Sequence, residues 1–147
     1  MINQVIEFIT LLTTGLTAGT AIYVSLVTHP AWLSTSVASA QDNFTPVFKG
    51  SVASQALFST TAIVGGIAFG ILTDEYLWIL GSVLMIINIP LTLIFLMPVN
   101  NKLMGKKGNI SNTEANKLFK KWGILQWIRT VVVLIAFILF LWLGIFK

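Results

Sequence analysis

Apolar residues fall along this chain in four long blocks, separated by short stretches rich in Ser, Thr, Asn, Asp and Lys. A helix needs about 20 apolar residues to cross a bilayer, and the blocks predict spans over residues 3–28, 52–72, 76–97 and 122–146. The first block has no basic leader, carries Glu7 and is longer than a signal-peptide core, so it is expected to be a span. His29-Pro30 is expected to end it, because the residue before a proline is pushed away from α geometry. Residues 31–49 turn polar, with Trp32, Phe44, Pro46 and Phe48 interspersed. That mixture predicts a short interfacial segment whose aromatics sit at headgroup level. Thr73-Asp74-Glu75 allows only a tight turn, which makes the second and third spans antiparallel neighbours. Ser111 followed three residues later by Glu114 has the capping-box pattern. Ala115, Leu118, Phe119 and Trp122 then recur at helical spacing, so the last helix is expected to begin on the membrane surface before it enters.

The class these elements predict is all-α, an integral membrane four-helix bundle with a short interfacial segment after the first span, forming one domain over residues 1–147. Of the 147 residues 56% are hydrophobic and 10% charged, which leaves no room for a separate soluble domain. The net charge of +4 does not point to nucleic acid, because most of the lysines lie beside the spans. Lys102, Lys106, Lys107, Lys117, Lys120 and Lys121 fall between the third and fourth spans, and Lys49 between the first and second. The positive-inside rule places the 98–121 loop in the cytoplasm and both termini outside, in the cell membrane, with anionic lipid as the expected partner. Gly15 with Gly19, and Gly66 with Gly70, offer small-residue faces. Packing within the chain is the expected use of the first pair, and a homo-oligomer contact the alternative.

Polar residues inside the spans carry the functional signal. At 100° per residue Trp122, Gln126 and Arg129 share one helix face, and a guanidinium directed at lipid is costly, so this face is expected to look inward. Pro90 in the third span frees a carbonyl that Asn88 or Thr92 can compensate. Counted at 1.5 Å per residue, Asn88 lies about 13 Å, Thr92 about 7 Å and Arg129 about 10 Å below the loop-side boundary, with His29 and Asn100 near the mouth. These groups either satisfy one another and lock helix register, or they line a pocket for a small ligand with a polar head and an apolar body. One histidine and no cysteine make neither a bis-histidine haem site nor a conventional zinc site, and no Gly-rich nucleotide loop is present. No metal site and no cofactor are expected.

His29-Pro30, Asn88-x-Pro90-x-Thr92, Pro98-x-Asn100-x-x-Leu103 and Trp122-x6-Arg129, in this order on four short spans, resemble the domain-of-unknown-function family that includes the anthrone oxygenases. The resemblance covers nearly the whole chain. It implies oxidation of anthrones to anthraquinones without a metal or organic cofactor, in a pocket open to the cytoplasmic leaflet. By position its polar residues correspond to His29, Asn88, Asn100, Trp122 and Arg129; together with the depth and face of the others, His29 and Arg129 are expected to be catalytic, and Asn88, Thr92, Asn100, Trp122 and Gln126 substrate-binding. One departure is Gln126, where a histidine is expected in many relatives. On this reading His29 is the general base, with a pKa that is ordinarily near neutrality. Arg129, Asn88 and Asn100 would hold the developing oxyanion. Two other classes fit the same residues: a non-catalytic scaffold or accessory subunit, and a binder or carrier of a lipophilic metabolite.

Overall fold

The computed structural model describes residues 1–105 and 108–146, so the predicted loop lysines Lys106 and Lys107, and the terminal Lys147, lie outside the described residues. Four helical rods form the molecule. The first joins α1 (Ile2–Tyr23) through a π-helical segment, π1 (Val24–Thr28), to α2 (His29–Ser34). The second is α3 (Val37–Thr73). The third joins α4 (Tyr76–Pro90) through π2 (Leu91–Leu96) to α5 (Met97–Leu103), and the fourth is α6 (Asn112–Phe146). All four rods are long and apolar enough to cross a membrane. The chain is an all-α integral membrane protein built as a four-helix bundle.

Two boundaries differ from the sequence expectation, both because burial outweighs a local bias. His29-Pro30 does not end the first rod. His29 keeps right-handed α geometry, with φ −65° and ψ −47°, and the helix runs on to Ser34. Proline lacks the N–H and crowds the carbonyl four residues back; the wider π turn just before it relieves that conflict, while His29 and Trp32 gain burial. Residues 37–49, part of the segment expected at the interface, instead form the opening turns of α3, capped by the Ser36 hydroxyl, which accepts from the Ser39 amide at 3.2 Å. At 1.5 Å per residue α3 is about 55 Å long, well beyond a hydrocarbon core of about 30 Å. Trp32 and Phe44, expected among headgroups, are buried side chains.

The turns follow the sequence reading. Asp74 takes left-handed geometry at φ 58°, and the amides of Asp74 and Glu75 both donate to the Gly70 carbonyl, closing α3 and reversing the chain. The Glu114 amide donates to the Ser111 hydroxyl at 3.2 Å and starts α6. Around the bundle α3 lies between α1 and α4, and α6 lies between α4 and α1.

Small residues set how closely the rods approach, and they do so mainly at the Asp74 end. Gly65 is backed by Thr10 of α1, Gly66 by Ser82 and Phe140, Gly70 by Ile79, and Gly81 by Phe140. A Cβ at any of these would collide. Gly15 meets Phe137, whereas Gly19 and Gly50 face open space. The bundle is thus pinched at one end, around an apolar cluster of Trp78, Phe140, Met85, Val133 and their neighbours. A second cluster, with Trp32, Phe44, Leu96, Phe119 and Trp122, closes the lysine-bearing end.

Candidate functional site

Between the two clusters lies a cavity of about 380 Å³, to which all four rods contribute. That is within the range of small-molecule sites. Both π segments border it: π1 supplies Val24 and Thr28, and π2 supplies Thr92, Leu93 and Leu96. A π turn rotates the residues after it out of ordinary α register, and such bulges recur at functional sites. Ser51, Gln55 and Ser59, one turn apart on α3, give the opposite wall a hydroxyl and amide stripe.

Of the seven residues singled out in the sequence, six line this cavity: Asn88, Thr92, Asn100, Trp122, Gln126 and Arg129. Trp122, Gln126 and Arg129 share the inward face of α6, as their spacing predicts. His29 is the exception. Its ring lies against Gly123, where no side chain would fit, and stands behind Trp122 at a centroid distance of 5.8 Å. Its Nε2 lies 2.9 Å from the Phe119 carbonyl. A carbonyl only accepts, so Nε2 carries the hydrogen and donates. His29, expected near the mouth as a base, is thus placed under α6, where it fastens α2 to that helix.

The polar groups divide sharply into satisfied and unsatisfied ones. Trp122 Nε1 donates to Asn100 Oδ1 at 2.7 Å, joining α6 to α5. Ser25 and Thr130 hydroxyls meet at 2.8 Å, joining π1 to α6. Thr92 Oγ1 donates to the Asn88 carbonyl at 2.7 Å, covering the backbone beside Pro90. These bonds hold the register. By contrast both side-chain amide atoms of Asn88, and Nε of Arg129, are buried without a partner. Arg129 does not reach Asn88 or Asn100; its Nη1 donates to Gln126 Oε1 on its own helix, at a long 3.3 Å. No acidic residue lines the cavity, and Arg129 makes no ion pair among the described residues.

A buried guanidinium without a counter-charge, facing an amide with both ends free, suits an anionic or strongly polarised oxygen on an apolar body. Arg129 is the sole titratable side chain on the cavity wall among the described residues. Among the described residues no group of three or more His, Cys, Asp or Glu could hold a metal ion. Sequence reasoning missed Thr17 and Thr28, and missed Trp32 and Phe44 as cavity floor. Threonine is common on membrane helices, where its hydroxyl bonds the carbonyl four back, so nothing marked these two beforehand.

The chain matches the family model described as anthrone oxygenase over residues 44–139. That segment holds the six cavity-lining residues that the sequence singled out and excludes His29, Thr17, Val24, Thr28 and Trp32. No curated protein and no solved structure matches the chain.

Proposed function

The chain belongs to the anthrone oxygenase family, and on that premise we propose that it takes a small, lipophilic aromatic into the cavity beside Arg129 and oxidises it without a metal or organic cofactor. The observation that carries the reading is the set of buried, unpartnered polar atoms, Asn88 Nδ2 and Oδ1 and Arg129 Nε, on the wall of one cavity.

An anthrone-like substrate is acidic at the methylene flanked by two rings and a carbonyl-bearing system. A fixed positive charge favours the conjugate base of a bound acid, so Arg129 raises the ionised fraction, and a water held on the Ser51, Gln55 and Ser59 wall takes the proton and returns it to the peroxide that forms. The anion is electron-rich enough to pass an electron to dioxygen. Recombination forms a C–O bond as a hydroperoxide; loss of water then converts the methylene to a carbonyl. One oxygen atom stays in the product and the other leaves as water with the two methylene hydrogens, so the carbon is oxidised by four electrons and dioxygen is reduced by four. Arg129 and Asn88 hold the oxygen on which charge develops, in a site of low dielectric. Asn100, Trp122 and Gln126 shape the aromatic slot, and Thr92 fixes the backbone beside Asn88. His29 positions α2. The lysine-bearing loop faces the cytoplasm and both termini face outside, which puts the cavity in the cytoplasmic half of the bundle.

A second reading is favoured by one observation, that no titratable base lines the cavity: binding or carrying a lipophilic anion without turnover. Oxygen uptake separates the two. Purified protein supplied with anthrones should consume dioxygen, and Arg129→Met should slow this about 10²–10³-fold, as expected for a lost oxyanion donor. Binding of the same compounds without uptake selects the carrier. Neither uptake nor binding, with no aromatic extracted from the purified protein, returns the chain to a scaffold role.

A further inference from the structure

The cavity is walled on most sides, and the place where it is not indicates how a ligand gets in. Toward the lysine-bearing end it is floored by Trp32, Phe44 and Trp122, with Phe119 packed against them in the same cluster; Phe44 stands edge-on, at 85° to Trp122 and at 78° to Phe119. None of the four is more than 8% exposed. Toward the Asp74 end Met85, Trp78 and Phe140 close it. Sideways, α3 packs on α1 and on α4, and α6 packs on α1, α4 and π2, but among the described residues neither π1 nor π2 approaches the backbone of α3.

The exposed lining residues show which of these two gaps is the wider. On α3 they include Val52, Ala56 and Thr60, and across from them Ile89 and Leu93, which are 50% and 58% exposed although they line a cavity. Their side of α3 can be fixed from helix geometry. Ala56 lies about 40° around the helix from Gly70 and about 180° from Gly65. Gly70 meets Ile79 of α4, whereas Gly65 meets Thr10 of α1. The exposed rim therefore faces the α4–π2 rod. On the α1 side Val47 is 41% exposed, but Val24 and Thr28 of π1 across from it are only partly exposed, so the wider opening is the one toward π2. The cause is the uneven distribution of small residues: contacts at Gly65, Gly66 and Gly70 draw α3 inward at one end, while Gly50 meets nothing.

We propose that the ligand enters and leaves sideways, from the acyl chains, through the gap between α3 and π2, with Ala56 and Leu93 on its rim. The proposal rests on the ligand-site reading above. In a membrane the rim looks at hydrocarbon, where a neutral lipophilic aromatic is already concentrated and an ion is excluded. The ligand crosses the rim neutral and ionises only beside Arg129. Charged aqueous metabolites of similar size are turned away by the same rim, because the aromatic floor shuts the aqueous end.

The chain has no cysteine, so Ala56→Cys introduces a unique thiol at the rim. The full chain in lipid nanodiscs is mixed with a fluorescent hydroxyanthraquinone, and association and dissociation are followed by stopped flow. Labelling the Ala56→Cys variant with a benzyl methanethiosulfonate should slow both rates about tenfold with Kd changed less than about twofold, as for a blocked gate, and dithiothreitol should restore both. Recovery after reduction shows that the fold survived. The same label on Lys121→Cys, at the closed end, should change neither rate. Unchanged rates in the fully labelled Ala56→Cys variant overturn the route while leaving the site intact. So does slowing by the Lys121→Cys label, or a loss of affinity that makes Ala56 part of the binding wall. If unlabelled wild type takes up no probe, the site reading fails and the route with it.

Discussion

Replacing Arg129 by methionine should leave the empty protein as stable as before or make it more stable, and should abolish recognition of an anionic aromatic. Placing arginine toward the middle of a membrane helix costs about 2.5–3.5 kcal/mol on insertion scales. Here the guanidinium recovers little: one 3.3 Å bond to Gln126, no ion pair among the described residues, and a buried Nε without an acceptor. Methionine removes the charge and keeps an unbranched apolar side chain, but strands Gln126 Oε1, which returns about 1–2 kcal/mol. The net expectation lies between no change and a gain of about 2 kcal/mol. If Arg129 instead locked helix register, its loss would leave partners unsatisfied and cost about 1–3 kcal/mol, the opposite sign. Equilibrium unfolding in mixed detergent–SDS micelles measures the difference. A hydroxyanthraquinone present at about 100 times its Kd should stabilise wild type by about 2.7 kcal/mol and the variant hardly at all. A variant destabilised by more than about 1 kcal/mol that still gains the full ligand stabilisation would refute the reasoning.

Other outcomes follow from the same bonds. Trp122→Phe should cost about 1–3 kcal/mol by stranding the oxygen of buried Asn100, and Asn100→Leu added to it should restore part of that loss; equal loss in the double variant would deny the coupling. Gly123→Ala should destabilise by about 1–3 kcal/mol because its methyl meets the His29 ring, and His29→Ala in the same chain should relieve it. His29→Ala alone should lower the melting temperature and leave oxygen uptake per folded molecule within a few-fold; a collapse of uptake in a stable variant would reinstate His29 as the base. Asn88→Leu should leave the fold intact and weaken hydroxyanthraquinone binding about tenfold, seen by fluorescence titration. Cysteines placed at Asn109 and Asp74 should label from opposite faces of sealed vesicles, and labelling of both from one face defeats the orientation.

Much of this architecture is legible in the sequence because it is local. Hydropathy marks four crossing helices, the Ser111–Glu114 spacing marks the start of α6, and the 100° period puts Trp122, Gln126 and Arg129 on one face. Six of the cavity-lining residues are legible in the sequence because polar atoms within apolar blocks are expensive and therefore conspicuous. What the sequence does not reveal is pairing. Asn88 and Asn100 are the same residue type on the same rod, yet one is bonded to Trp122 and the other has no side-chain partner, a difference set by which helix stands opposite. His29 illustrates the same limit, since its depth along the first rod places it near the cavity but only Gly123 decides that it sits behind the wall. The continuity of the first rod through Pro30 was hidden for a related reason: local bias argues for a break, and only burial of His29 and Trp32 argues against it.

The π segment after Pro90 constrains how the gene can change. A π turn uses one residue more than an α path between the same two points, so deleting any one residue from 91–96 would let the rod relax to regular α geometry. Everything beyond it would then keep its place, whereas a deletion elsewhere in the rod would rotate everything beyond by about 100° and shift it by about 1.5 Å. In that second case Asn100 would swing away from Trp122, and the aromatic floor would lose its tie to α5. Leu93, Ile94 and Phe95, meanwhile, are more than half exposed on the outer face of the bundle, and other apolar side chains would serve there equally well. Across these three positions identity is free and one residue can be lost, whereas a regular α rod tolerates a change of identity but not of count.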